Sequence, residues 1–219
     1  MKRHESWPWQ ADLNGERQLA DQYQRVTLSL QQRLRQQPGA FLFTAAHSQQ
    51  GTTTAALAVA RQLRQFGETK PLLVELNRRK PCLATRLNLS SDAGIPNFLA
   101  GVKLEDCVAD SSGVAVLTAG SEWPDEIQIA SIAEQIIKNG SGFGPILFDV
   151  PALLESADAL AAGSVVPQTV VVVRYRQTSE ESLSLMRKDC TNNGMEIVGS
   201  ILTMREQVIP RWFERWMER

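Results

Sequence analysis

Residues 41–54 read FLFTAAHSQQGTTT: an apolar run, a polar turn ending in Gly51, and a helix opening on three threonines. A phosphate-binding loop of the pattern G-x-x-x-x-G-K-[ST] needs three things at these positions. The first glycine lets the backbone approach the phosphates, the lysine neutralises their charge, and the Ser/Thr hydroxyl binds Mg²⁺. Here Ala46 stands at the first glycine and Thr52 at the lysine, while Gly51 and Thr53 are kept and Thr54 follows. The frame of a nucleotide site is present and its principal cation is missing. His47 is close enough to substitute in part, but an imidazole is mostly neutral near pH 7 unless its pKa is raised.

Two acidic strand ends complete the candidate site. One is residues 72–81, LLVELNRRKP, with Glu75 and Asn77 followed by Arg78, Arg79 and Lys80; the other is residues 145–151, PILFDVP, with Asp149 and Pro151. If the site were active, Thr53, Glu75 and Asp149 would handle a metal ion, since Mg²⁺ is held by one or two carboxylates together with substrate phosphates. Asn77 carries no charge and cannot act as a base. Phosphoryl transfer rests on electrostatic stabilisation of the transferred group, and losing one preorganised donor costs about 10²–10³ in rate. Thr52 supplies no charge, so catalysis is expected to be lost and the fold retained, with ATP and Mg²⁺ as cofactors only in the alternative case.

These residues need a scaffold, and the hydrophobic pattern supplies one. Apolar strand candidates fall at 40–45, 72–76, 114–118, 145–149, 169–174 and 197–203, and helix candidates at 53–66, 126–138, 153–162 and 178–193. Apolar strands such as QTVVVV suit a parallel sheet covered on both faces. Alternating strand and helix implies an α/β fold with a doubly wound, mainly parallel sheet flanked by helices on both faces. Ahead of it, residues 16–37 predict a helix with Leu19, Tyr23, Val26, Leu30 and Leu34 along one face. The expected organisation is an irregular leader over 1–15, one domain over 16–205 and an amphipathic tail over 206–219.

At 219 residues the chain can bury a substantial core. A net charge of −1, from 23 basic and 24 acidic residues, gives no global attraction to nucleic acid, and none is expected as a partner. Cys82, Cys107 and Cys190 lack metal-ligand spacing and read as reduced thiols. No signal peptide and no apolar span of about 20 residues is evident, which suggests a cytoplasmic protein, peripheral at a membrane only through a partner.

Taken in order, the degenerate loop, the Glu75–Pro81 segment, residues 94–101 (GIPNFLAG), and Asp149-Val-Pro151 with the later Asp158-Ala159 resemble one family. It is the bacterial tyrosine-kinase family of capsule and exopolysaccharide synthesis, a branch of the ParA/MinD-like P-loop ATPases. The resemblance covers roughly residues 16–203. It implies an inner-membrane polysaccharide polymerisation or export protein, or another envelope-complex subunit, as partner, and a homodimer as a further option. Departures are as telling. Gln49 replaces a loop glycine, Glu75 and Asn77 replace two aspartates, and Ala152 replaces a second proline, whereas Arg79, Asp149 and Pro151 are kept. The ring-forming Glu-x-x-Arg-x-x-Arg survives only as Gln22, Arg25 and Leu28. The C-terminal tyrosine cluster of the family's autokinases is absent, Tyr23 and Tyr175 being the only tyrosines. In its place Trp212, Phe213 and Trp216 share an apolar face, read as docking on the protein's own core or in a partner groove. The resemblance therefore implies a catalytically inactive pseudo-ATPase serving a polysaccharide synthesis and secretion complex. The alternatives are a Mg²⁺-dependent ATPase with a non-standard loop and a ParA/MinD-like positioning protein for a secretion or cellulose-synthesis complex.

Overall fold

The computed structural model describes residues 13–36, 39–90, 94–121, 123 and 128–204. The tail residues Trp212, Phe213 and Trp216 lie outside them. Helix α1 (Leu13–Leu34) leads into strand β1 (Ala40–Ala45), helix α2 (Thr52–Phe66) and strand β2 (Leu72–Glu75). Three short helices follow, α3 (Leu83–Leu87), α4 (Ile95–Leu99) and α5 (Leu104–Cys107), then a hairpin of β3 (Ala109–Ser111) and β4 (Val114–Leu117). The remainder alternates: α6 (Ile129–Asn139), β5 (Ile146–Asp149), α7 (Ala157–Gly163), β6 (Gln168–Arg174), α8 (Glu180–Asn192) and β7 (Glu196–Thr203).

The strands form a single sheet in the order β3-β4-β2-β5-β1-β6-β7. Every pairing is parallel except β3 with β4. Apolar strands are explained by burial on both faces: β2, β4 and β5 are buried at every position. One face carries α1, α2 and α3, whose Tyr23, Val26, Leu30, Ala56, Val59 and Leu83 pack on Phe41, Phe43 and Leu147. The other carries α4 to α8, with Ile95, Leu104, Ile132, Ala159 and Met186 against Leu42, Phe148 and Val171. The sheet is thus doubly wound, as the alternation of elements implies.

Three details depart from the sequence expectation. Helix α1 already starts at Leu13, inside the segment read as an irregular leader. Strand β3 and helix α3 have no counterpart among the expected elements, for β3 is three residues of mixed polarity and α3 is a five-residue turn after a proline. Helix α7 starts four residues later than expected, because Ser156 is its N-cap and accepts from the Asp158 amide.

Parallel order brings the C-terminal ends of β1, β2 and β5 together. Glu75 and Asp149 are paired across β2 and β5, and Phe43 is paired with Asp149 across β1 and β5. The loop after β1 therefore rises beside both acids. In open α/β sheets this edge is where ligands bind.

Candidate nucleotide site

The loop keeps the backbone of a phosphate cradle. Gln49 (φ 63°) and Gly51 (φ 92°) are left-handed, and Gly51 begins α2 with no side-chain cap on the helix. Uncapped first-turn amides of a helix, with the helix dipole, favour an anion. Its side chains are not those of a cradle. Ala46 is wholly buried in the core, and no cation follows Gly51.

The loop is tied to its surroundings on three sides. Arg174 Nη1 donates to the Gln49 carbonyl at 2.9 Å, and Thr203 Oγ1 donates to the Gln50 carbonyl at 2.8 Å. The Ser48 amide donates to Glu155 Oε1 at 3.1 Å. His47 lies between Glu155 Oε1 (3.2 Å from Nδ1) and Ser182 Oγ (2.9 Å from Nε2). With Nδ1 protonated against the carboxylate, Nε2 accepts from Ser182, whose oxygen is 2.9 Å from Ser179 Oγ at the N-cap of α8. Burial pushes the Glu155 carboxyl up, but the Ser48 amide and hydroxyl and His47 together hold it below the ordinary value. His47 therefore fastens the loop to α8 and does not face a phosphate as a free cation. Replacing His47 by Ala is expected to speed amide exchange over residues 47–51 by about fivefold, the worth of one hydrogen bond of roughly 1 kcal/mol. Global stability should change little, since both partners are near half exposed. Hydrogen–deuterium exchange read by mass spectrometry checks both.

The two acids differ sharply. Glu75 is 1% exposed and accepts three backbone amides: Cys82 (2.6 Å) and Leu83 (2.9 Å) on Oε1, Ala119 (3.1 Å) on Oε2. It organises the start of α3 and the end of β4. Asp149, equally buried, has an Oδ2 with no hydrogen-bond partner. Burial pushes its carboxyl up to about 7; the Thr53 hydroxyl bonded to it lowers it, the Glu75 charge raises it, and Arg86 lowers it.

A cavity of about 460 Å³ opens above Asp149. Of the residues singled out in the sequence, His47, Gln49, Gly51, Thr52, Thr53, Asn77, Arg79, Asp149 and Pro151 line it. Ala46 and Glu75 lie behind it, and Thr54 faces a neighbouring cavity. Asn77 Oδ1 accepts from the Lys80 amide at 3.3 Å and shapes the basic turn. Arg78 leaves the site to pair with Asp158 (3.2 Å) and lies over the Trp123 ring. Arg79, Lys80 and Arg86 put positive charge on the wall formed by the β2–α3 segment and α3. For Mg²⁺, the fit is partial. Thr53 and the orphaned Asp149 oxygen would face the ion, but Glu75 is committed to three amides.

Sequence reasoning missed Cys82, Arg86, Glu155, Arg174, Ser182 and Thr203. Only Arg86 had a usable signal, as a basic residue shortly beyond the basic cluster. The rest act through backbone groups or through hydrogen bonds between distant segments. The Cys82 thiol is pushed up mainly by burial.

No protein-family model matches the chain. In sequence it is 26% identical over 167 residues to the tyrosine-protein kinase YwqD of Bacillus subtilis (strain 168), an alignment covering 74% of this chain and 70% of that protein. In structure it superimposes on the kinase domain of VpsO with a TM-score of 0.74 and 25% identity, covering 89% of this chain and all of that one. A plasmid partition protein from Borrelia burgdorferi, 12% identical, shares the fold alone, at a TM-score of 0.61 over 84% of this chain and 88% of that one. Homologues of this chain are bacterial tyrosine kinases, and its fold is the ParA/MinD-like P-loop fold with degenerate nucleotide-binding motifs.

Proposed function

We propose that this chain is a pseudo-ATPase, a catalytically inactive relative of bacterial tyrosine kinases that acts as a scaffold or regulator in exopolysaccharide or envelope-polysaccharide synthesis. The observation that carries this reading is the loop itself. Thr52 takes the place of its cation, and His47, the nearest alternative, is engaged by Glu155 and Ser182. The commitment of Glu75 to three backbone amides supports it further. The partner would be an inner-membrane polysaccharide polymerisation or export protein. Among the described residues no helix is long and apolar enough to cross a membrane.

A second reading, a Mg²⁺-ATPase with a displaced cation, is favoured by one feature: Arg79, Lys80 and Arg86 line the same cavity as the orphaned Asp149 oxygen. Titration of ATP with and without Mg²⁺, alongside phosphate release, separates the two. The wild-type protein is expected to show no turnover. Thr52→Lys should tighten ATP binding by about tenfold or more, the value of one charge-assisted hydrogen bond, and still not hydrolyse it. Micromolar Mg²⁺-ATP binding by the wild type, with turnover abolished in Asp149→Ala, would establish the second reading instead.

A further inference from the structure

Three side chains from distant parts of the chain meet in series beside the loop. His47, on the loop after β1, has its Nδ1 3.2 Å from Glu155 Oε1, on the segment between β5 and α7. Its Nε2 is 2.9 Å from Ser182 Oγ, on the first turn of α8. Both ends of the series are themselves fixed. The Ser48 amide donates to the same Glu155 oxygen at 3.1 Å, and the Ser48 hydroxyl also bonds that carboxylate. The Ser182 amide donates to Ser179 Oγ at 3.1 Å, and the two hydroxyl oxygens are 2.9 Å apart. With the Ser179 hydroxyl donating to Ser182 Oγ, the Ser182 proton is directed to His47.

As a tie for the loop one such bond would serve; the series also meets the geometry of an activated serine. A hydroxyl is a weak nucleophile until a base within about 2.6–3.2 Å takes its proton, and the base works best when a third group orients it. Glu155 does this at Nδ1 and leaves the Nε2 lone pair toward Ser182. Placement on the first turn of a 13-residue helix adds to the effect, since the dipole there favours developing negative charge. We infer that Ser182 is a nucleophile, with His47 as its general base and Glu155 as the positioning residue, in an acyl-transfer site for small carboxylic esters. Ser182 Oγ attacks the ester carbonyl carbon as its proton passes to His47 Nε2. The bond from that carbon to the alkoxy oxygen then breaks, and the alcohol leaves with the proton. Water, deprotonated by the same imidazole, releases the acid from the acyl-serine and restores the hydroxyl. The His47 and Glu155 side chains are 44% and 43% exposed, so substrate arrives from solvent and little of it is enclosed. Esters are the class that fits, because amides have a poorer leaving group and need more stabilisation than an open site provides. No step draws on a nucleotide at the loop.

The test is covalent labelling of the full chain with a fluorophosphonate, an electrophile selective for activated serines, with the adduct located by peptide mass spectrometry. One adduct is expected, on Ser182 and not on Ser179 or Ser184 of the same helix, and none on the urea-unfolded chain. His47→Gln should slow labelling by about 100-fold or more, the contribution of a general base. A circular dichroism melt close to that of wild type shows that this variant is folded. Glu155→Gln keeps a carbonyl for the Nδ1 proton and the Ser48 amide but loses the charge. Labelling should fall by about tenfold, while amide exchange over residues 47–51 stays within about twofold of wild type. Hydrolysis of p-nitrophenyl acetate should rank the three proteins in the same order. A wild type that forms no adduct on Ser182, or labels equally well when unfolded, would overturn the inference. So would labelling as fast in His47→Gln as in wild type, or a Glu155→Gln loss that only tracks faster exchange of the loop.

Discussion

Glu75→Ala is expected to destabilise the fold by about 3–6 kcal/mol, the cost of leaving two buried amides and the part-buried Cys82 amide without their acceptor at roughly 1–3 kcal/mol each, after partial relaxation. The amides of Cys82, Leu83 and Ala119 converge on one carboxylate from the start of α3 and the end of β4. Glu75 itself is 1% exposed, so water reaches the Leu83 and Ala119 amides poorly. Glu75→Gln should fall between the two. Its carbonyl oxygen can still take the Cys82 and Leu83 amides, but its NH₂ would confront the Ala119 N–H. Urea unfolding followed by circular dichroism measures both. A Glu75→Ala midpoint within the equivalent of about 1 kcal/mol of wild type would show that this carboxylate is not a structural keystone. The aspartate that the resemblance expects here would hold a metal; the longer glutamate reaches backbone instead.

Asp149→Asn is expected to act in the opposite direction. The Asp149 carboxyl is raised from 3.8 to about 7 in the folded protein, chiefly by burial. Between those two values the folded state binds more protons than the unfolded one, so stability falls as pH rises through the interval. Below about pH 4 both states are protonated and there is no penalty; above about pH 7 both are ionised and the full penalty applies. That penalty corresponds to about 4 kcal/mol at most. Asp149→Asn should therefore match wild type below about pH 4 and exceed it above about pH 7, with a flatter profile between. Thermal unfolding across roughly pH 4–8 is the measurement. Repeating it with Mg²⁺ adds a contrast: stabilisation of the wild type alone would show that the ion uses the orphaned oxygen. An Asp149→Asn protein weaker than wild type at the alkaline end of that range would mean that the carboxylate is held by a cation in solution.

The contrast between these two acids explains what the sequence could and could not disclose. The sheet was legible because burial on both faces forces uninterrupted apolar runs, and the parallel strands at its centre are such runs. Strand β3 was not, since an edge strand of Ala-Asp-Ser has no pattern to detect. The absence of a cation at Thr52 and the position of Asp149 could be seen from spacing alone. The capture of Glu75 could not, because its partners are backbone amides that every residue except proline possesses. The same holds for the loop ties through Arg174 and Thr203, which join segments more than 100 residues apart. Arg86 offered only its charge and its place shortly beyond the basic cluster; helix α3 had to be known before its direction toward the cleft could be.

Strand β1 lies in the interior of the sheet, yet both of its neighbours, β5 and β6, are encoded more than 100 residues downstream. Helix α1 shares this only in part: it is bonded to nearby α2 through Thr27 and Gln62, but Arg33 reaches Glu196, 163 residues away. During synthesis β1 thus waits with both ladder edges unsatisfied until β5 and β6, more than 100 residues later, have been made. Such delay favours late, concerted closure and lengthens the time for which unpaired strand edges are exposed to aggregation.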